Sequence, residues 1–178
     1  MDAQIIKWEI TGFFVIFVVG AAWHFFYSST GVQLIGLISP VNESVWEHSK
    51  MGTYPILIFS IIMGFYFKEQ IPHFWAAQAI AIYSVPIIMI GLFYFYTFFT
   101  GHHILAIDIS IFAICIALAQ WLSYKLLTGQ LNPVISPSVA LASIAVLVLV
   151  TSYFTYFPPK VHLFLDATNG TYGINQVK

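Results

Sequence analysis

Apolar residues run along this chain in long unbroken stretches, without the period-two alternation of a half-buried or barrel strand. Five stretches approach or exceed the ~20 residues of helix that cross a bilayer core. They lie at about 8–27 ("WEITGFFVIFVVGAAWHFFY"), 50–67, 74–99, 102–127 and 138–157. Polar turns separate them, notably "KEQIPH" and "TGQLNPVISPS", the second carrying Gly129, Pro133 and Pro137. The stretch at 50–67 is short, so its helix is expected to begin upstream, near Pro40, with Ser39 as N-cap. The same Ile-Ser-Pro triplet recurs at 135–137 and marks the start of the fifth helix. Pro55 and Pro86 fall inside the second and third stretches, where each is expected to kink its helix. After the fifth stretch Pro158-Pro159 stops the helix, "VHLFL" is too apolar for a free tail, and Asn169-Gly170 signals a turn. The pattern predicts an all-α, polytopic integral membrane helix bundle of about five transmembrane helices. It forms a single domain over 1–178, with 158–178 folded back as a cap on one membrane face.

Composition sharpens the class. Hydrophobic residues make up 60% of the 178 and charged residues 7%, against about 25% charged in soluble domains. The expected solvent, and first partner, is the lipid bilayer. The six cationic residues are all lysines and no basic patch forms, which argues against nucleic acid as a partner. Cys115, the single cysteine, lies in "SIFAICIALAQ" and reads as apolar filler, with no intramolecular disulfide available. The segment "MDAQIIKWE" holds two acids against one lysine and no A-x-A site follows, so the first stretch reads as a retained span rather than a signal peptide.

Five spans put the termini on opposite faces, the N-terminal one called side A and the other side B. Five of the six histidines then fall on side B: His24, His48, His102, His103 and His162, with His73 on side A. Asn42, Glu43, Ser44, Glu47, Asp108 and Asp166 join them. Lysines divide evenly: Lys7, Lys68 and Lys125 on side A against Lys50, Lys160 and Lys178. Lys50 sits within a polar cluster and Lys178 lies far past the last span. Discounting both leans side A, with the N-terminus, toward the cytoplasm and the C-terminus toward the exoplasmic face of the cell membrane.

The polar cluster is "SPVNESVWEHSKM", residues 39–51. On a helix from Pro40, residues four apart share a face, pairing Ser44 with His48, Glu43 with Glu47 and Asn42 with Trp46. Asp108 would lie about 9 Å along the next-but-one helix from His102, pointing elsewhere. One site can therefore use both only if it forms between several helices. Imidazoles and carboxylates suit zinc or another divalent metal, with His48, His102, His103, Asp108 and His24 as candidate ligands. Glu47 or Glu43 would take a proton from metal-bound water as general base. Asn42, Ser44 and Asp166 are supporting candidates, and Lys50 can neutralise one of the carboxylates. Two other readings fit the same residues: a functional site without metal, and interfacial polarity with the glutamates at the positive end of a helix dipole. Asp108 is the sharpest single residue, because a carboxylate inside a span is functional by default.

"WHFFY", "LISPVNESVWEHSKM" and "FTYFPPKVHLFLDATNGTYGI" together resemble an uncharacterised family of small bacterial multi-pass membrane proteins. The resemblance implies this architecture, a bacterial membrane, and no activity. "NESVWEH" is also distantly similar to the motif of the alkaline ceramidase and adiponectin-receptor superfamily of membrane hydrolases. That likeness implies zinc held by histidines and an aspartate. Here Asn42-Glu43 stands two residues closer to the histidine than in that superfamily, and its seven spans and late H-x-x-x-H pair are absent. Three functions follow as alternatives. One is a metal-dependent membrane hydrolase acting on a lipid or amphiphilic substrate. The others are an ion-coupled transporter or small-solute binding protein, and a non-catalytic partner subunit. Few polar residues are expected on the third and fifth helices toward side A, which favours a one-sided site.

Overall fold

The computed structural model describes residues 1–174, and Lys178 lies outside them. Five long helices, α1 (Asp2–Trp23), α4 (Val45–Phe67), α5 (Phe74–Thr100), α6 (Leu105–Leu127) and α7 (Pro137–Tyr156), are apolar and long enough to cross a membrane. Two short helices, α2 (Phe26–Thr30) and α3 (Gln33–Gly36), lie in the first side-B connection. A 3-10 turn, His162–Phe164, follows α7.

Several boundaries depart from the sequence pattern: the first helix ends at Trp23, short of Tyr27, α6 begins at Leu105 after His102 and His103, and two helix starts move further. The first helix begins at Asp2 instead of Trp8, since Ile5 is fully buried and Asp2 places an acid in the first turn, where the helix dipole favours it. The second spanning helix begins at Val45, not near Pro40. Ser44 is its N-cap, its hydroxyl accepting from Glu47 N at 3.3 Å. Ser39 is spent elsewhere: its hydroxyl donates to Trp23 O at 2.8 Å and accepts from Tyr27 N at 3.2 Å, tying residue 39 to the end of α1. The second Ile-Ser-Pro triplet does start a helix, with Ser136 as N-cap and Pro137 in the first turn.

Helix α4 is the most buried of the five and packs between α1 and α5; α6 packs on α1 and α5, and α7 on α5. Small residues let these helices close. A Cβ on Gly20 would lie 2.5 Å from Met51 O and 2.6 Å from the Phe112 ring, so α1 meets the α4 backbone and an α6 side chain closely there. Gly20→Ala is expected to cost about 1–3 kcal/mol by overpacking, checked by thermal unfolding of the purified protein in detergent. Large apolar residues point outward all around the bundle, including Phe65, Phe98 and Leu149. Lipid, not water, makes that surface favourable.

After α7 the chain turns back over side B. Phe164 is buried against the rings of Trp46 and Phe154 at 5.0 and 5.2 Å. Leu165 and Tyr172 form an antiparallel bridge, and Ile174 N donates to Thr155 O at 2.8 Å.

Candidate metal site on one membrane face

Three pieces of chain meet at side B: the residue capping α1, the segment 39–44, and the first turns of α4. The segment is held from both sides. Trp23 Nε1 donates to Ile38 O at 2.8 Å, and Asn42 accepts from Ser44 N at 2.9 Å while donating to Gly173 O at 2.9 Å. Glu43 N donates to Asp166 Oδ2 at 3.3 Å. Asn42 and Asp166 therefore position the backbone from which the Glu43 side chain projects.

That side chain lies between two imidazoles. Glu43 Oε2 is 3.3 Å from His48 Nε2, and Oε1 is 3.6 Å from His24 Nε2. The two rings stack with centroids 5.1 Å apart and planes 23° from parallel. One ligand atom from each of His24, Glu43 and His48 falls within 4.8 Å of the others. Two ligands bound at 2.0–2.1 Å to a tetrahedral ion sit about 3.3–3.5 Å apart, so the spacing is close to that of a zinc site.

Hydrogen bonding fixes what faces what. His48 Nδ1 is 3.0 Å from Ser44 O, and a carbonyl only accepts, so Nδ1 carries the hydrogen. Nε2 is then the nitrogen that faces the carboxylate, as an N–H donor in the imidazolium or as a lone pair in the neutral ring. Two acceptors do not face each other at 3.3 Å unless a proton or a cation lies between them. A backbone carbonyl behind the distal ring nitrogen is also the usual support of a ligating histidine. His24 Nδ1 is buried with no hydrogen-bond partner, leaving that ring oriented by the stack and by Glu43.

The surrounding charges suit ligation. Glu43 is held below its ordinary pKa, chiefly by the hydrogen bond to His48, against the opposing effect of partial burial. His24 is lowered by burial first and then by the neighbouring His48, so a neutral imidazole is favoured. Burial pushes the Asp166 carboxyl up, but hydrogen bonds from Thr168, Glu43 N and Asn169 outweigh it and hold the group below its usual value.

The remaining candidates lie apart from this cluster. Glu47 Oε2 accepts from Lys50 Nζ at 2.7 Å and from Val41 N at 3.2 Å, and Oε1 accepts from Thr155 Oγ1 at 3.2 Å. Lys50 Nζ also donates to Gly36 O at 2.8 Å and to Thr155 Oγ1. Glu47 and Lys50 are 2% and 0% exposed, so Glu47 is committed to a buried pair and shares no face with Glu43. The reason is the later helix start: Glu43 precedes the helix, and the i,i+4 relation between the glutamates does not exist. His102 and His103 likewise precede α6, in the turn after α5. His102 is exposed. His103 Nδ1 is 3.3 Å from Asp108 Oδ2, and Tyr96 OH donates to Asp108 Oδ1. Asp108 is near enough to His48 to act on it through charge.

A second polar cluster, not evident from the sequence pattern, lies in the side-A half. Glu9, Gln78, Gln120 and Ser123 are all buried there. Glu9 gave a signal, an acid inside an apolar stretch, and Gln120 reads from sequence as interfacial.

The model of a family of unknown function (DUF6512) matches residues 1–174, and the chain belongs to that family. No curated protein and no solved structure matches the chain.

Proposed function

We propose that the protein is a membrane-embedded metalloprotein in which His24, Glu43 and His48 hold one divalent cation, best matched by zinc, at the side-B face. The observation that carries this reading is the convergence of one ligand atom each from His24, Glu43 and His48 within 4.8 Å, with His48 Nδ1 fixed on Ser44 O so that Nε2 faces Glu43. Two imidazoles and one carboxylate are a ligand set found in catalytic zinc sites, where the fourth position stays open for water or substrate. The chemistry that set equips is hydrolysis, through a bound water of lowered pKa, of a lipid or amphiphile that reaches the headgroup level. With Glu47 tied to Lys50, the acid–base partner is the His103–Asp108 pair on the same rim. Lys50 is buried, which leaves Lys7, Lys68 and Lys125 on side A against Lys160 on side B among the described residues. That balance favours a cytoplasmic side A and an exoplasmic site.

The test is thermal unfolding of chelator-stripped protein with and without Zn²⁺. Zinc at a hundred times its Kd is expected to stabilise the wild type by about 2.7 kcal/mol, and to do nothing for Glu43→Gln. Equal shifts in both proteins, or none in the wild type, would remove the reading. The stabilisation is expected to fade as pH drops below about 6.5, where imidazoles protonate. His24 contributes a loss of stability to the metal-free protein over that range, because its folded pKa lies below its unfolded value and the unfolded chain takes up a proton that the folded chain resists. A chelator-sensitive release of fatty acid from lipid, lost in Glu43→Gln, is the expected sign of hydrolysis.

A further inference from the structure

In the opposite half of α1, about 22 Å from His24 at 1.5 Å per residue, Glu9 is only 4% exposed. A line of side chains from three other helices ends on it. Ser60 Oγ on α4 donates to Gln78 Oε1 on α5 at 2.6 Å, and Gln78 Nε2 donates to Ser123 Oγ on α6 at 2.8 Å. Ser123 Oγ in turn donates to Glu9 Oε1 at 2.6 Å. Gln120 Nε2 donates to the Glu9 carbonyl at 3.2 Å, and Gly12, one turn on, leaves room for that amide. Every donor in the line is directed toward the carboxyl. The other oxygen, Oε2, is buried with no partner at all.

Among the described residues no cation pairs with it. Lys7, two residues away on α1, is exposed; Lys68 pairs with Glu69, and Lys125 donates to Gln130 and lies over the Trp121 ring. The tyrosines of the packed helices are also turned elsewhere: Tyr66 packs tilted against Trp8 and Tyr83 donates to Ser143 O. Among the described residues the side-chain hydrogen bond to the Glu9 carboxyl comes from Ser123, not Tyr124. An ionised carboxylate with one bare oxygen in this setting is far costlier than a neutral acid with one unpartnered O–H.

We propose that Glu9 is a proton-binding site inside the membrane, its carboxyl binding and releasing one proton at Oε2 while Ser123, Gln78 and Ser60 hold Oε1. The observations behind it share no residue with the proposed metal site, so either proposal can fail without the other. A proton site in the half of the bundle opposite the side-B cluster is a feature that an ion-coupled transporter would use and a one-sided hydrolase would not.

The experiment is an infrared pH titration of the full chain in lipid nanodiscs. The wild type at pH 7 is expected to show the C=O stretch of a protonated carboxyl, disappearing as the pH is raised. Glu9→Gln, which keeps an acceptor for Ser123, is expected to lack that band. Ser123→Ala is expected to retain it at a shifted frequency, because Oε1 loses its donor. Absence of the band from the wild type at pH 7 would overturn the proposal, as would its persistence in Glu9→Gln or an unmoved band in Ser123→Ala. Suppression of the band by Na⁺ at fixed pH, with choline as control, would also overturn it and give the site to an alkali cation.

Discussion

Lys50→Met is expected to destabilise the folded protein by about 3–5 kcal/mol, the usual cost of removing one partner from a buried ion pair. The lysine is wholly buried, and its ammonium holds three partners at once: Glu47, Gly36 O and Thr155. Those partners belong to α4, the side-B connection and α7. Losing the ammonium strands the Glu47 carboxylate, 2% exposed, with only Val41 N and Thr155 Oγ1 to satisfy it. The double variant Lys50→Met with Glu47→Leu removes the stranded charge and is expected to regain most of the loss. Unfolding in SDS, followed by tryptophan fluorescence, measures both. A single variant as stable as the wild type would show that the pair does not lock these elements together.

The same pair shows what a sequence conveys and what it withholds. The five long helices were legible because lipid imposes a simple demand: some 20 apolar residues in a row, broken by polar turns. The chain satisfies it with few exceptions. Ser136-Pro137 was legible too, because a cap is a local device. Ile38-Ser39-Pro40 carries the same three letters and does something else, since Trp23 O at the end of α1 and Tyr27 N in α2 both engage its hydroxyl. Once Ser39 is tied to α1, the helix starts at Val45 and the two glutamates part company. Glu43 faces the histidines and Glu47 faces Lys50. Segregation of histidines to side B pointed to the end of the molecule where His24, Glu43 and His48 converge. It did not separate His24 and His48, which stack, from His102 and His103, which precede α6. That distinction depends on which helices touch, and spacing along one helix does not encode it. Glu9 stood out as an acid inside an apolar stretch, but its surroundings did not: Ser123, which donates to it, lies 114 positions away on α6.

Removing either imidazole of the His24–Glu43–His48 cluster is expected to abolish metal binding, because two remaining ligands do not hold zinc against water and the chelating groups of other proteins. His48→Ala removes the ring that Ser44 O orients, and His24→Ala removes its stacked partner. His102→Ala and Asp108→Asn leave all three ligands in place and are expected to leave the metal as well. Inductively coupled plasma mass spectrometry of the purified full chain and these four variants is the most direct measurement. About one divalent metal per wild-type chain is expected, retained in His102→Ala and Asp108→Asn and lost in His24→Ala and His48→Ala. Metal-free wild-type protein that takes up no zinc when offered it, or metal that survives in His48→Ala and disappears in His102→Ala, would contradict it.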